Sequence, residues 1–207
     1  MSGSHATRLS EPRALKQDRA HRTKAVILQA AAEIFAETGY PTVTLQDVAE
    51  RAEVTKGAVY FHFANKEALA LEVIRKHYER WRPLISEAEE RGEPPLETLF
   101  FVLDGTLATM AADVMVQAGI RLQIERSLIG ADLPRPLVDW YDELEPLVCA
   151  AQDGGQLRAD MDPRAFTLVL VASFLGVQHF AQIVTQREDL HKRWAETRDL
   201  LFRGVLA

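Results

Sequence analysis

The chain has 207 residues, of which 47% are hydrophobic and 26% are charged, and its formal net charge is −6. These values are typical of a soluble globular protein built as one large domain, or as a small domain joined to a larger one. The single cysteine, Cys149, excludes an intrachain disulfide, and nothing in the sequence requires an oxidising compartment.

The longest stretch without a charged side chain, residues 165–186, is long enough to cross a membrane. Gln178, His179, Gln182 and Gln186 interrupt its second half, and such polar groups are costly in lipid. We therefore interpret the stretch as a buried helix or a subunit interface. The amino end is polar and basic, without the apolar region of a signal peptide. We expect a cytoplasmic protein with no membrane partner.

Positive charge is concentrated at the amino end of this acidic chain. Residues 1–66 carry nine basic and seven acidic side chains, a net charge of +2, whereas the remainder carries a net charge of −8. Residues 1–24 alone hold six basic and two acidic side chains. This asymmetry favours contact of the amino end with nucleic acid.

Apolar residues recur at helical spacing along the chain, and no strand pattern, internal repeat or low-complexity tract is visible. We predict an all-α fold of about nine helices, with glycine and proline at the breaks. The helices are expected at residues 19–38, 45–52, 56–61, 66–90, 96–110, 114–128, 137–152, 163–185 and 188–206. Residues 1–18 show no period and are predicted to be a disordered basic tail; an arm that contacts DNA is the alternative.

The stretch 45–66 is predicted to be a helix-turn-helix. Leu45, Val48, Ala49 and Ala52 form one apolar helical stripe. Thr44 precedes that stripe and Thr55 precedes the next helix, and each can cap the free amides of a first turn. Two helices joined by so short a turn can place the second one in the major groove of DNA.

The second of these helices carries side chains suited to DNA. Lys56 begins it and can meet a phosphate or a guanine. The Tyr60 ring can meet thymine methyl groups, and both the Tyr60 hydroxyl and His62 can reach a phosphate. Gly57 and Ala58 are small, so the backbone can approach the groove closely, and Lys66 adds a charge. Phe61 and Phe63 are interpreted as core residues. With Ile27, Phe35, Leu45, Val48 and Val59 as its core, residues 19–66 form the predicted DNA-binding domain.

The segment TLQDVAERAEVTKGAVYFHFANKEAL resembles the signature of the tetracycline-repressor (TetR) family, and the match covers about residues 22–72. Within that family, VTKGAVYFHF is similar to the gamma-butyrolactone-receptor branch, as are residues 117–122 and 137–140 more weakly. The resemblance implies an amino-terminal helix-turn-helix followed by a helical ligand-binding and dimerisation domain, here residues 67–207. It also implies that eight residues face DNA: Thr44, Thr55, Lys56, Gly57, Ala58, Tyr60, His62 and Lys66.

A homodimer is expected because one small recognition helix reads too few base pairs, whereas two copies read a pseudo-palindrome. The helix at 163–185 is apolar around most of its circumference and needs a second burial surface. Together with 188–206 it would form a four-helix interface, and the resemblance implies the same two helices. The alternative is that 163–185 is simply the central core of its domain.

A small-molecule effector is the second expected partner, alongside double-stranded operator DNA. Aromatic walls with a few polar tips are typical of a ligand pocket, and Trp140 is the leading candidate because the butyrolactone-receptor branch has a pocket tryptophan at the matching position. The acidic larger domain disfavours a strongly anionic ligand. The predicted ligand-binding residues are Trp81, Phe101, Gln117, Gln123, Trp140, Tyr141 and Phe174.

The resemblance implies a repressor that a butyrolactone, butenolide or furan-type signal releases from DNA through movement of the helix at 66–90. An activator and a DNA-organising protein without small-molecule release stay open as alternatives. An enzyme is disfavoured because Cys149 lies in an apolar helix, the histidines are dispersed, and no P-loop or dinucleotide motif is present. We expect no cofactor and no metal.

Overall fold

The computed structural model describes the backbone of residues 11–207 and the side chains of residues 17–135 and 137–207. In this part of the chain we find nine α-helices, one 3-10 turn at Arg126–Leu128, and no pairing of extended segments beyond an isolated bridge between Leu157 and Leu206. The all-α prediction is confirmed. The helices are α1 (Glu11–Thr38), α2 (Leu45–Arg51), α3 (Lys56–His62), α4 (Lys66–Arg91), α5 (Pro95–Ala112), α6 (Val114–Ile124), α7 (Pro136–Asp153), α8 (Pro163–Thr185) and α9 (Leu190–Arg203).

Several helix ends differ from the sequence-based expectation. Helix α1 begins at Glu11, so residues 11–18 are helical although they were assigned to the tail; residues 1–10 of that tail lie outside the described residues. Helix α6 ends at Ile124, and a separate 3-10 turn follows it. Helix α9 begins at Leu190, two residues later than predicted. Gln186 and Arg187 both have positive φ, which ends the helical geometry of α8.

The first compact unit contains α1 to α3, the part of α4 up to His77, and residues 114–134 with α6. Helix α1 packs along α6 and against both α2 and α3. The predicted core of this region is confirmed, since all five of its members are buried: Ile27, Phe35, Leu45, Val48 and Val59. The predicted domain boundaries after residues 18 and 66 stay predictions.

Two glycines permit close approaches within this unit. Gly39 follows α1 with a φ of +82°, the left-handed conformation predicted for a residue that ends a helix. Gly119 lies where α6 meets α4, and a Cβ atom there would overlap the Cβ of His77 and come within 2.6 Å of its Cγ. The two helices can approach this closely because residue 119 has no side chain.

The second compact unit contains residues 78–113 and 135–207. Helix α7 packs against α5 and α8, and α9 packs against α8 and α5. Three buried aromatic side chains meet in its interior. The ring centroid of Phe174 lies 4.9 Å from that of Trp140 and 4.8 Å from that of Trp194. The indole of Trp194 donates a hydrogen bond to Asp104 Oδ1 over 2.9 Å, which joins α9 to α5.

Helix α8 is apolar on two sides. One side carries buried Phe166, Leu170 and Phe174, whereas the other exposes large apolar side chains, among them Phe180 and Ile183. Among the described helices taken singly, α8 is the one long and apolar enough to cross a membrane by length and composition. The first side packs into the interior of the second unit. The apolar side chains on the other side have no such partner, and their exposure needs an explanation.

Substituting Gly119→Ala tests the helix contact at His77. The added Cβ meets the Cβ and Cγ of His77, which cannot rotate away as the end of a flexible side chain could, so α4 and α6 must separate. We expect the free energy of unfolding to fall by about 2 kcal/mol or more. Gly130→Ala is the matched control, because no atom lies within 4 Å of its Cβ position, and a change below about 0.5 kcal/mol is expected. Equal denaturant midpoints for both variants would contradict the proposed contact.

Candidate nucleic-acid interface and small-molecule site

The amino end of α2 is fixed by a reciprocal capping box. Thr44 Oγ1 accepts a hydrogen bond from the backbone N–H of Asp47 over 3.2 Å, and Asp47 Oδ2 accepts one from the N–H of Thr44 over 2.8 Å. The backbone N–H and hydroxyl of Thr44 both donate to this carboxylate, and they hold the pKa of Asp47 below its ordinary value. The sequence pattern of Thr44 with an acidic residue three positions later therefore formed the predicted cap.

The turn between α2 and α3 is equally well defined. Glu53 adopts a φ of 53°, and the N–H of Val54 donates to the carbonyl of Ala49 over 3.0 Å. Thr55 then caps α3, because its Oγ1 accepts from the N–H of Ala58 over 3.1 Å. The short turn predicted between the two helices is confirmed, and its hydrogen bonds fix the direction in which α3 begins.

Helix α3 presents one open, basic and aromatic face. Thr55, Lys56 and Gly57 are exposed, Ala58 is half-buried, and Tyr60 is 50% exposed. The Lys56 Nζ lies 5.9 Å from the centroid of the Tyr60 ring, within the range of a cation–π contact. A Cβ atom at Gly57 would meet nothing closer than Thr55 Oγ1 at 3.9 Å. A flat or grooved partner can thus approach the backbone of α3.

Phe61 belongs to the same open face, and its assignment to the core was wrong. Its side chain is 79% exposed, whereas Phe63 is 3% exposed, as predicted. In a seven-residue helix the buried side is set by Val59 together with Phe63 four positions later, and Phe61 points away from both. That spacing was visible in the sequence and could have identified Phe61 as a candidate contact residue.

His62 and Lys66 are less exposed than the residues of this face. His62 is half-buried, and burial together with the positive charge of Lys24 lowers its pKa, so the imidazole is neutral near pH 7. The Lys66 Nζ donates to the carbonyl of Tyr40 over 2.8 Å and lies 4.2 Å from the Tyr40 ring centroid. Burial, then a hydrogen bond to Glu67, raises the pKa of the Tyr40 hydroxyl to about 12. The structure therefore gives Lys66 a contact within the protein that the sequence did not indicate.

Among the predicted ligand residues, Trp140 has the most informative environment. Its side chain is 4% exposed and its indole Nε1 is buried without a hydrogen-bond partner. Trp194, which also contacts Phe174, donates its own N–H to Asp104. An unmet buried donor costs about 1–3 kcal/mol, so the Trp140 N–H is available to an acceptor atom of a bound molecule.

The other predicted ligand residues are distributed over both compact units. In the second unit Phe174 contacts Trp140, Trp81 is buried beside Tyr78, and the ring of Phe101 lies 4.5 Å from the Arg91 guanidinium. Tyr141 donates to the Arg164 carbonyl over 3.2 Å and lines an open groove of about 590 Å³.

Gln117 and Gln123 belong to α6 in the first unit. Gln123 is buried; its Oε1 accepts a hydrogen bond from Arg126 over 3.3 Å, and its Nε2 has no hydrogen-bond partner. The structure thus brings Trp140 and Phe174 together and provides a second buried orphan donor on α6.

Residues 27–73 match the family model of bacterial regulatory proteins of the tetR family. The chain is 34% identical to the A-factor receptor protein of Streptomyces griseus over 87% of its own length, and this match spans 63% of that relative, less than two thirds. These proteins are transcriptional regulators and not enzymes.

Solved structures agree with this assignment. A protein studied for the control of antibiotic production by a bacterial hormone is 47% identical, with 90% of this chain and 98% of that one covered and a TM-score of 0.80. A gamma-butyrolactone receptor is 30% identical, with 91% and 90% covered and a TM-score of 0.78. CprB from Streptomyces coelicolor, solved with its biological operator sequence, is 30% identical over 91% and 90%, with a TM-score of 0.82. The chain belongs to the TetR family of transcriptional regulators and, within it, is similar to the gamma-butyrolactone receptors.

Proposed function

We propose that this chain is a cytoplasmic, ligand-responsive repressor that binds a pseudo-palindromic operator as a homodimer and is released by a small signalling molecule. The observation that carries the proposal is the exposed face of α3, where Lys56, Tyr60 and Phe61 surround the unobstructed backbone at Gly57. Caps at Thr44 and Thr55 fix the direction of both helices of the motif. CprB, a relative with the same fold, was studied in complex with its operator, which supports DNA binding by this chain.

Each residue of this face has a distinct role in the proposed contact with DNA. Lys56 meets a phosphate or the acceptor atoms of guanine, and the Tyr60 hydroxyl donates to a phosphate. Phe61 has no polar atom, so its contact is with a thymine methyl group in the major groove. His62 acts as a neutral donor, because its lowered pKa leaves it uncharged in the free protein. Thr44 and Thr55 hold the helix ends and place their exposed side chains beside the backbone of DNA.

Lys56→Ala and Tyr60→Ala are expected to abolish operator binding and leave the fold intact. Each contact is worth about 1–3 kcal/mol, and a symmetric dimer loses it twice. The operator is first selected from a random DNA pool with the native chain, and affinities are then measured by fluorescence anisotropy. Arg82→Ala removes one positive charge from an exposed position in the second compact unit, outside α3, α8 and α9, and should leave affinity unchanged. Native operator affinity in both α3 variants would refute the assignment.

Dimerisation through α8 and α9 accounts for their exposed apolar surface. Leu168, Phe180, Ile183 and Val184 on α8 and Leu200 on α9 are all more than half exposed. So many large exposed apolar side chains on two adjacent helices are uncommon on a monomer. A second copy of the same two helices would bury them symmetrically. The dimer places the two recognition helices about one DNA turn, ~34–36 Å, or a multiple of it, apart.

Ile183→Glu is expected to yield a monomer, because it places a charge on a side chain that is 69% exposed in the isolated chain and is buried in the proposed dimer. The variant should sediment as a monomer at micromolar concentration and lose operator affinity by about two orders of magnitude or more. Ile124→Glu changes an apolar side chain on α6 that is 58% exposed, and this variant is expected to stay dimeric. A native chain that sediments only as a monomer would disprove the dimer.

The proposed effector site includes Trp140 and Phe174. The buried Trp140 N–H without an acceptor matches a ligand that carries a carbonyl or ring oxygen, as butyrolactones, butenolides and furans do. The ligand favours a conformer in which α4 moves the recognition helices away from adjacent grooves. A tenfold loss of DNA affinity requires about 1.4 kcal/mol of differential binding between the two conformers, which one good hydrogen bond and a ring contact supply.

A butyrolactone, butenolide or furan compound is expected to release the selected operator, and Trp140→Phe should raise the concentration required about tenfold, since it removes one hydrogen bond and keeps the ring. Trp194→Phe is the matched control: its N–H is held by Asp104, so it should lower thermal stability and not effector sensitivity. If no compound of these classes releases DNA, the DNA-binding assignment stands and the effector class is wrong. If no small molecule of any class does so, the DNA-organising alternative is favoured.

A further inference from the structure

The carboxyl end of α1 is capped by a side chain from a distant part of the sequence. The last carbonyls of a helix have no partner within the helix. In α1, Arg121 of α6 satisfies two of them, because its Nη1 donates to the carbonyl of Ala36 over 2.9 Å and to that of Glu37 over 3.0 Å. The positive guanidinium also lies at the negative end of the α1 dipole, where a cation is favourable.

Glu125 completes this contact on the other side of Gly39. Its Oε1 accepts from Arg121 Nε over 3.1 Å, and its Oε2 accepts from the backbone N–H of Tyr40 over 2.6 Å. A Cβ atom at Gly39 would come within 2.5 Å of Glu125 Oε1 and 2.9 Å of Arg121 Nη2. The ion pair therefore presses directly against the backbone of the turn, and only glycine fits at this position.

Lys66 holds the same turn from the side of α4, since its Nζ donates to the carbonyls of Tyr40 and Pro41. Four backbone carbonyls and one backbone N–H between residues 36 and 41 are thus bound by three charged side chains. The turn leads within a few residues to the Thr44 cap of α2. The position of this turn therefore determines where α2, the first helix of the helix-turn-helix, begins.

We infer that Arg121 and Glu125 are positioning residues that couple α6 to the helix-turn-helix, so that a displacement of α6 changes the orientation of the recognition helix directly. This inference rests on the proposed DNA-binding function. It adds a second way in which a helix movement can reorient the recognition helix, besides the proposed movement of α4. The contact is suited to the role because charged hydrogen bonds lose strength steeply with misalignment. A small rotation of α6 breaks the hydrogen bonds from Arg121 to the α1 carbonyls and from the Tyr40 amide to Glu125 at the same time. The turn can then adopt several conformations in place of one.

Arg121→Ala tests the coupling in the full-length protein, with Arg126→Ala as the matched control. Arg126 lies close by on the 3-10 turn, and its guanidinium donates to Gln123 and to the Leu133 carbonyl, not to the turn after α1. Hydrogen exchange is measured without DNA on peptides covering residues 36–52 and on peptides from α8. Arg121→Ala should increase exchange in residues 36–52 at least about tenfold and leave α8 unchanged. Arg126→Ala should leave residues 36–52 as in the native protein.

Operator spacing provides a readout that loss of stability alone does not change. The native protein should bind poorly to operators whose half-sites are moved by about one or two base pairs, because its recognition helices are held at one separation. Arg121→Ala should bind the best operator less tightly and show a smaller penalty for altered spacing. Arg121→Lys, which keeps the positive charge but has a single donor nitrogen, should restore part of the discrimination between operator spacings.

Three results separate the possibilities. Unchanged exchange in residues 36–52 of Arg121→Ala overturns the inference. Increased exchange together with a native spacing penalty also overturns it, because Arg121 would then stabilise the turn without orienting the recognition helix. If the native protein binds no DNA, the proposed function is refuted, and so is the role of Arg121 in orienting the recognition helix on DNA. The exchange measurement distinguishes this case, because it reports whether Arg121 holds the turn independently of DNA binding.

Discussion

The helix-turn-helix depends on the burial of two side chains, Val59 in α3 and Phe63 directly after it, which pack into the core shared with α1 and α2. Seven residues are too few for a helix to be stable by itself in water, so packing and the Thr55 cap must provide its stability. Once these two side chains are buried, the opposite face is determined by helix geometry. Tyr60 and Phe61 are exposed for that reason, and the DNA-facing surface is a direct consequence of the core.

Most of the fold could be predicted because its signals are local. The caps at Thr44 and Thr55, the glycine after α1 and the apolar stripes each act within a few residues, and the structure confirms them. The extension of α1 to Glu11 was not predicted because that segment is polar and has no apolar period. The exposure of Phe61 was missed because aromatic residues were assigned to the core by type and not by their position around the helix.

The candidate sites were predictable to different degrees. For DNA, the relevant residues are consecutive in sequence and lie on one short helix, so their spacing was sufficient to place them together. For the effector, Trp140 and Phe174 come from different helices, and only the three-dimensional packing shows that one indole N–H lacks an acceptor while that of Trp194 has one. Long-range polar contacts such as those of Arg121 and Lys66 leave no periodic pattern in a sequence, and they were not predicted.

The capping of α1 by Arg121 also has a consequence for how the chain is made. Arg121 follows its backbone partners by 85 and 84 residues, so a ribosome that has completed α1 to α3 has not yet supplied the groups that satisfy the turn between α1 and α2. The polar contacts of this turn are complete only when α6 has been synthesised and has docked. We therefore expect a fragment that ends soon after Lys66 to hold the turn between α1 and α2 less firmly than the full chain does.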